Sequence, residues 1–428
     1  MYNSNNTIVL SNGLTVKTFH SNVVHSVTTA LFIPICCANI KNNEVGIFHF
    51  LEHMCFRKLH NHSQKEIYYY SERIGATLKG ITYKDYIKFT ITVLPKYFLE
   101  AFNIMFELLQ EVTWDSCEIE AEKKVVKNQI RFQGNNTFEK KADRFYYKDT
   151  GYEFEIMGTE SSVEAYSRKY INSMRNAVFS TQNSCFVFAG NYDKNILETA
   201  IMKMGLLPKT HNPIAIYARQ PKGFCNRTKQ DTKFLFTEYN IADVLISFDI
   251  PECCSLNKIA FLSGIIGEGY GSLLSVELRE NLAITNEIYS YIQQFRCGSK
   301  IVIQCETTQN NVAKCVETIF SILNNVKREI SEDIFLCSRV FYTENRFMLY
   351  DDTERLADWI GYKFIYPDQI LSVNELIEHC QKITRDELIQ SANDLFTGKN
   401  LFIATSCTGK KRREEIKEIV ESWRDNKY

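Results

Sequence analysis

The chain has 428 residues, with 50 Lys and Arg against 51 Asp and Glu, a formal net charge of −1. At 45% hydrophobic and 24% charged residues it has ordinary globular composition, which excludes a mainly disordered or collagen-like chain. The near-neutral balance gives no sign of nucleic acid or anionic lipid as a partner, and at ~150 residues per domain the length predicts two to three domains.

In chain order, residues 26–33 read as a strand rich in Val, Thr and Ile, and residues 44–57 as a helix after Asn42-Asn43. A second strand follows at 86–94 and an apolar helix at 97–111, after Pro95. A long helix at 116–133 opens on a capping box, Asp115 with Glu118. Residues 207–223 hold three of the seven prolines and predict an extended linker at 211–223. Beyond it, 242–250 and 300–305 read as strands, and 256–267, 272–281, 311–328, 333–348 and 383–396 as helices. The charged tail, 410–425, reads as a helix with a solvated face. Strands and helices mix without strict alternation, so the expected class is α+β.

An internal repeat is visible. Ile33, Pro34, Cys36 and Cys37 match Ile250, Pro251, Cys253 and Cys254 at an offset of 217, close to half the chain. The expected organisation is therefore a duplication: a domain over 1–210, the linker at 211–223, and a homologous domain over 224–428. The fourteen cysteines are scattered, and no C-x-x-C occurs; reduced thiols in a cytoplasmic protein are expected. The N-terminus lacks the basic and apolar regions of a signal peptide, and no apolar run approaches the ~20 residues of a membrane span.

The helix at 44–57 contains His49-Phe50-Leu51-Glu52-His53. His49 and His53 are four residues apart, so both imidazoles leave one face, a spacing that suits a single zinc ion. Glu52 projects beside them and is the candidate general base and acid. Composition alone yields this pattern about 0.01 times per chain. The plainer alternative is a hydrogen-bonded pair of core histidines. His60 and His62 are assigned to a surface loop. The Gly264–Gly271 stretch lacks a dinucleotide-binding spacing and is expected to make a tight connection between helices.

At HFLEHMCF (49–56) the sequence resembles the inverted zinc peptidases of the pitrilysin/insulinase family, in the half-length branch related to mitochondrial processing peptidase. The likeness extends to EKKVVKNQI (122–130), MGTE (157–160), FAGNYD (188–193) and ELRE (277–280) with YSY (289–291). It implies two homologous α/β-layer domains forming one half of a clamshell, in which two halves enclose a chamber. It further implies a bound zinc ion and a peptide substrate paired along a sheet edge, here near Leu78–Thr82.

Three positions depart from the family's pattern. Gln129 stands where the third zinc ligand is a glutamate. A Gln carbonyl is a weaker, neutral ligand, so looser zinc binding through His49, His53 and Gln129 is expected, with a lost metal site as the alternative. Glu122 is two helical turns from Gln129, ~10.5 Å along the axis, and suits the role of orienting a ligand imidazole instead. Lys79-Gly80 replaces an Asn-Ala pair on the substrate strand, where Thr82 is kept. Lys79 there either favours an acidic substrate residue or is a plain surface lysine. The family's Arg/Tyr substrate pair is reduced to Arg279, because position 286 is Asn; the bland role for Arg279 is an ion pair with a neighbouring Glu.

The resulting expectation is a zinc-dependent endopeptidase subunit that matures a precursor or leader peptide. A related half-length partner in a hetero-dimer would supply the missing Arg/Tyr pair, although a homo-dimer is also compatible with the sequence. The alternative is a catalytically weakened or inactive binding and assembly subunit.

Overall fold

A computed structural model describes residues 6–133, 137–182, 184–210, 231–235, 240–367 and 371–425. The linker expected at 211–223 lies outside the described residues. The first sheet is built from β1 (Asn6–Val9), β2 (Thr15–His20), β3 (Val27–Pro34), β4 (Lys79–Thr82), β5 (Tyr86–Val93) and β6 (Cys185–Gly190). Its strand order is β1-β2-β6-β3-β5-β4, so β4 is an edge. The second sheet takes β7 (Asp231–Phe234), β8 (Ile241–Asp249), β9 (Thr285–Phe295), β10 (Gly298–Thr308) and β11 (Leu401–Thr405), in the order β7-β11-β8-β10-β9.

The two orders are the same once β1 is set aside. In each sheet the first two strands of the shared order run parallel and every later neighbour pair is antiparallel. Thus β3 and β8, which carry the Ile-Pro repeat at or just beyond their ends, are equivalent central strands. Both are buried strands: every residue of β3 is buried, as are seven of the nine in β8.

The chain divides into two compact units, each mixing helix and sheet. One gathers the described residues of Met1–Asn135, Phe154–Arg219 and Met348–Ser372. The other gathers those of Asn136–Glu153, Gln220–Phe347 and Val373–Tyr428. Each half of the chain thus lends a helix to the unit built mainly by the other: Phe138–Tyr146 to the second unit, Thr353–Ile365 to the first. The two lent helices are themselves copies. Ala142, Asp143, Tyr147 and Lys148 recur as Ala357, Asp358, Tyr362 and Lys363, an offset of 215 that sequence reading overlooked.

Each lent helix is fastened by a buried lysine on the equivalent strand. Lys88 of β5 reaches Asp358 at 2.7 Å, and Lys300 of β10 reaches Asp143 at 3.2 Å. Both ammonium groups are almost fully buried, which is tolerable only with a paired carboxylate.

The first unit's core packs the helix Phe98–Glu107 onto this sheet, with the Phe98 ring 5.6 Å from Phe188. The helix Ser116–Gln133 opens on the capping box anticipated from sequence: Asp115 N donates to Glu118 Oε2 at 2.8 Å and Glu118 N donates to Asp115 Oδ1 at 2.9 Å. The tail helix Lys410–Arg424 is not only solvated; Ile416, Val420 and Trp423 bury one face. No helix among the described residues is long and apolar enough to cross a membrane.

Candidate metal and peptide site

The helix Ile47–Arg57 starts on Gly46, whose φ of +92° is the left-handed region. A side chain there would also strike Met157 O and Gly158, so the Met157–Glu160 segment seats the start of the helix. Eight of its eleven residues are buried, including His49 and Glu52. A helix buried on nearly all faces must place its polar groups against partners.

His49 and His53 lie ring to ring, with centroids 4.5 Å apart. Burial, and then the neighbouring His53, push the His49 imidazole down to about 3, so it is neutral and retains a ring lone pair at neutral pH. Its Nδ1 is buried and has no hydrogen-bond partner. His53 Nδ1 lies 2.8 Å from Glu122 Oε1 on the packed helix Ser116–Gln133. Arg57, one further turn along the His49–His53 face, hydrogen-bonds the other Glu122 oxygen and reaches Gln64 Oε1 at 3.1 Å. Burial alone would raise Glu122, but the bonds from His53 and Arg57 outweigh it and hold the carboxyl below its ordinary range.

Gln129 lies two turns beyond Glu122 on the same helix, and its Oε1 is buried without a partner. Among the described residues no three of His, Cys, Asp and Glu gather as a metal-holding group. A set of His49, His53 and Gln129 contains an amide in place of one such residue. Two orphaned buried polar atoms, one on each of two packed helices, fit a cation better than a self-contained core, because an unpaired buried polar atom is costly.

Glu52 faces the edge strand. Thr82 Oγ1 donates to Glu52 Oε2 at 2.9 Å. Burial raises the Glu52 carboxyl above its ordinary value, with His53 and the Thr82 bond pulling partly back. Gly80 lies against the same carboxylate. Lys79 points to the opposite face of β4, where its ammonium sits 2.8 Å from Glu354 on the lent helix.

Arg279 belongs to the second unit, on the π-helical segment Ser275–Asn281. It pairs with Glu280 at 3.4 Å and lies 4.6 Å over the Tyr270 ring. Asn286 is exposed on β9. His60 Nδ1 lies 2.6 Å from Glu111 O and is engaged by it, and His62 Nδ1 sits 2.9 Å from Glu107 Oε1 without the geometry of a hydrogen bond. Sequence reading missed Arg57, although its position four residues after His53 was the signal. It also missed the Thr82–Glu52 bond, for which residues thirty apart give no local cue.

Residues 15–160 match Insulinase (Peptidase family M16), and residues 165–336 match Peptidase M16 inactive domain. The chain is 22% identical over 397 residues to a protein of Rickettsia felis named as an uncharacterized zinc protease, covering 91% of this chain and 94% of that one. It is 24% identical over 405 residues to the beta subunit of the mitochondrial-processing peptidase of Saccharomyces cerevisiae, covering 90% and 87%. Its fold is similar to the crystal structure of a protease from Helicobacter pylori, with a TM-score of 0.84 at 17% identity, covering 95% of this chain and 99% of that one. With both matched segments in sequence order and together spanning well over half of its length, the chain belongs to the insulinase family of peptidases, family M16.

Proposed function

We propose that this chain is a zinc-dependent endopeptidase subunit whose chemistry resides in its first domain, 1–210. The observation that carries the reading is the pair of buried polar atoms without partners, His49 Nδ1 and Gln129 Oε1, beside a histidine already oriented by Glu122. His49, His53 and Gln129 would hold the ion. When bound, zinc supplies Lewis acidity at the scissile carbonyl and at the attacking water.

The chain's own residues do the rest. Glu122, stabilised as a carboxylate by Arg57, fixes the tautomer and orientation of His53. Glu52 takes the water's proton and delivers it to the leaving amine. Burial raises its affinity for a proton, as an acid–base group working near neutral pH requires. Thr82 occupies Oε2, which leaves Oε1 as the proton-carrying atom. The outer edge of β4 would pair with the peptide main chain, since β5 takes only the inner edge.

The zinc-protease names of relatives support this class of activity. We further propose a small or unfolded peptide as substrate, a precursor or leader for example, cut inside a dimeric chamber in the cytoplasm. There the described cysteines, all free thiols, would stay reduced. The Asn at 286 favours a hetero-dimer whose partner brings the Arg/Tyr pair. Lys79, already paired with Glu354, is best read as shaping β4 rather than as an acceptor for acidic substrates.

The neutral Gln129 favours one competing reading, a weakened or inactive assembly subunit. Cleavage of a quenched peptide mixture decides between them, with and without chelator, by the chain alone and then with a related half-length partner. Chelator-sensitive cleavage lost in Glu52→Gln supports the peptidase. Failure to hold zinc even at saturating metal would sink it.

A further inference from the structure

We infer that Gly80 and Thr82 are positioning residues that fix the Glu52 carboxylate on the peptide-pairing strand, so that one element sets the register of both substrate and proton carrier. This rests on the peptidase reading above.

Four observations carry it. Glu52 and Thr82 are each only 7% exposed, so the carboxylate has little water to satisfy it and depends on protein donors. The Thr82 hydroxyl supplies one at 2.9 Å. Gly80, two residues earlier and on the same face of β4, supplies room. A Cβ built at Gly80 would lie 2.7 Å from Glu52 Oε1, 3.0 Å from its Cγ and 2.8 Å from Phe56 Cε2.

Gly80 does not have the positive φ that favours glycine. What the glycine provides is therefore space, not backbone freedom. The carboxylate consequently sits against the strand with one oxygen bonded and the other packed over the Cα of Gly80. The opposite face of β4 is pinned by Lys79 to Glu354, and its inner edge by β5, which pairs with β4 from Lys79↔Thr90 to Thr82↔Ile87. A peptide added to the outer edge would be registered against a strand that already holds the acid–base group. Small displacements of such groups are costly: ~1 Å of misplacement loses about 100-fold in rate.

The experiment compares the zinc-loaded wild type with Thr82→Val, Thr82→Ser, Gly80→Ala and Glu52→Gln, assayed together with the partner if the chain alone is silent. It reads kcat and KM on a quenched peptide, zinc affinity by chelator competition, and the crystal structure of each metal-free protein. Thr82→Val is expected to lower kcat by about 10- to 100-fold, with KM and zinc affinity within about twofold. Thr82→Ser, which restores the hydroxyl, should recover most of that loss. Metal-free Gly80→Ala crystals should show the Glu52 carboxylate moved off β4.

An unchanged kcat in Thr82→Val, a loss that tracks zinc affinity, or no rescue by Ser overturns the inference. So does a Glu52 carboxylate that keeps its place in the Gly80→Ala crystals. If Gly80→Ala does not fold, the near-isosteric Val and Ser variants decide alone. If the wild type shows no zinc-dependent cleavage, or Glu52→Gln keeps it, the peptidase reading has failed, and the crystal arm still settles the placement of Glu52.

Discussion

The two units share a strand order and a lent helix, yet among the described residues only the first holds the candidate site. In the first unit the helix after the central strand, Ile47–Arg57, carries His49, Glu52 and His53 against the four-residue edge strand β4. In the second unit its counterpart, Leu256–Gly267, carries no ionisable residue in its buried turns and lies against the eleven-residue edge strand β9. The close approach is made by opposite partners. In the first unit the glycine is on the strand, at Gly80, and the functional group is on the helix. In the second the glycine is on the helix, at Gly267, where a Cβ would fall 2.6 Å from Ser290 N. There Ser263 and Ser290 close the contact with a 2.7 Å hydroxyl bond. The scaffold tolerates either solution. What distinguishes the units is whether the helix presents groups that need an outside partner or groups that satisfy each other.

The sharpest way to break this comparison is to remove the polar group on each side. Glu52→Gln should cut peptide cleavage by at least about 1,000-fold while zinc affinity stays within about threefold, because the acid–base group goes and the ligands stay. Ser263→Ala with Ser290→Ala should leave cleavage within about twofold. Steady-state kinetics with metal analysis on the purified variants measures both. Equal losses on the two sides would mean that the second unit's helix contributes to chemistry.

The lent helices test the symmetry itself. Asp358→Ala removes the carboxylate paired with the buried Lys88 ammonium, and Asp143→Ala removes the one paired with Lys300, which keeps the Tyr146 and Tyr147 rings at 3.7 and 4.7 Å and the nearby Asp249. Removing one partner of a buried pair costs about 3–5 kcal/mol; the partly exposed Asp358 puts its loss near the lower figure, and the remaining neighbours of Lys300 put the loss of Asp143 below it. Urea unfolding with limited proteolysis should show a larger loss for Asp358→Ala than for Asp143→Ala, each confined to the unit that receives the helix. A loss in only one unit would mean that the copies have diverged in how they hold together.

Much of this was legible in the sequence where a pattern is local. The His49–His53 spacing lies within about one turn, the Asp115–Glu118 capping box within four residues, and the strand at β3 is a run of β-branched and apolar residues. What escaped reading is non-local or unevenly spaced. The short strands β1 and β4 carry little periodic signal at four residues each. The Ala-Asp-x-x-x-Tyr-Lys copies at 142–148 and 357–363 lie away from the strand repeat and were overlooked. The glycines near 264–271 were expected in a helix connection, but Gly264 and Gly267 belong to the helix itself, where closeness to β9 explains Gly267. Side-chain contacts such as Thr82 with Glu52 depend on how β4 folds back, which no single window encodes.

A smaller effect bears on the site's weakest member. Gln129→Glu replaces a neutral amide oxygen with a carboxylate at the position whose Oε1 is buried and unpartnered. Zinc affinity should rise by about tenfold or more, by analogy with the 10–100-fold effects seen around metal sites. Chelator competition monitored by a zinc indicator provides the measurement. No gain, or a loss, would mean that Gln129 does not face the ion and that the set ends at the two histidines.

The smallest expected effect separates the units by pH. Opposite the buried lysine on each central strand stands a different residue: Phe32 across from Lys88, Asp249 across from Lys300. Phe32 packs over Gly361 of the lent helix, whereas Asp249 hydrogen-bonds the Tyr146 hydroxyl of its counterpart. Burial pushes the Asp249 carboxyl up to about 7 from an ordinary 3.8, with Lys300 pulling back. The folded state therefore binds this proton before the unfolded chain does. The stability that Asp249 contributes is complete below about pH 3.8 and is lost as pH rises towards 7. Hydrogen exchange, corrected for its intrinsic pH dependence, should show β8 amides losing protection between pH 5 and 7.5 relative to β3 amides, which serve as the internal reference. Asp249→Asn keeps the hydrogen bond to Tyr146 but cannot titrate, so the β8 slope should flatten to that of β3. If the slope survives in Asp249→Asn, the pH response belongs to another group, and the two central strands differ in packing alone.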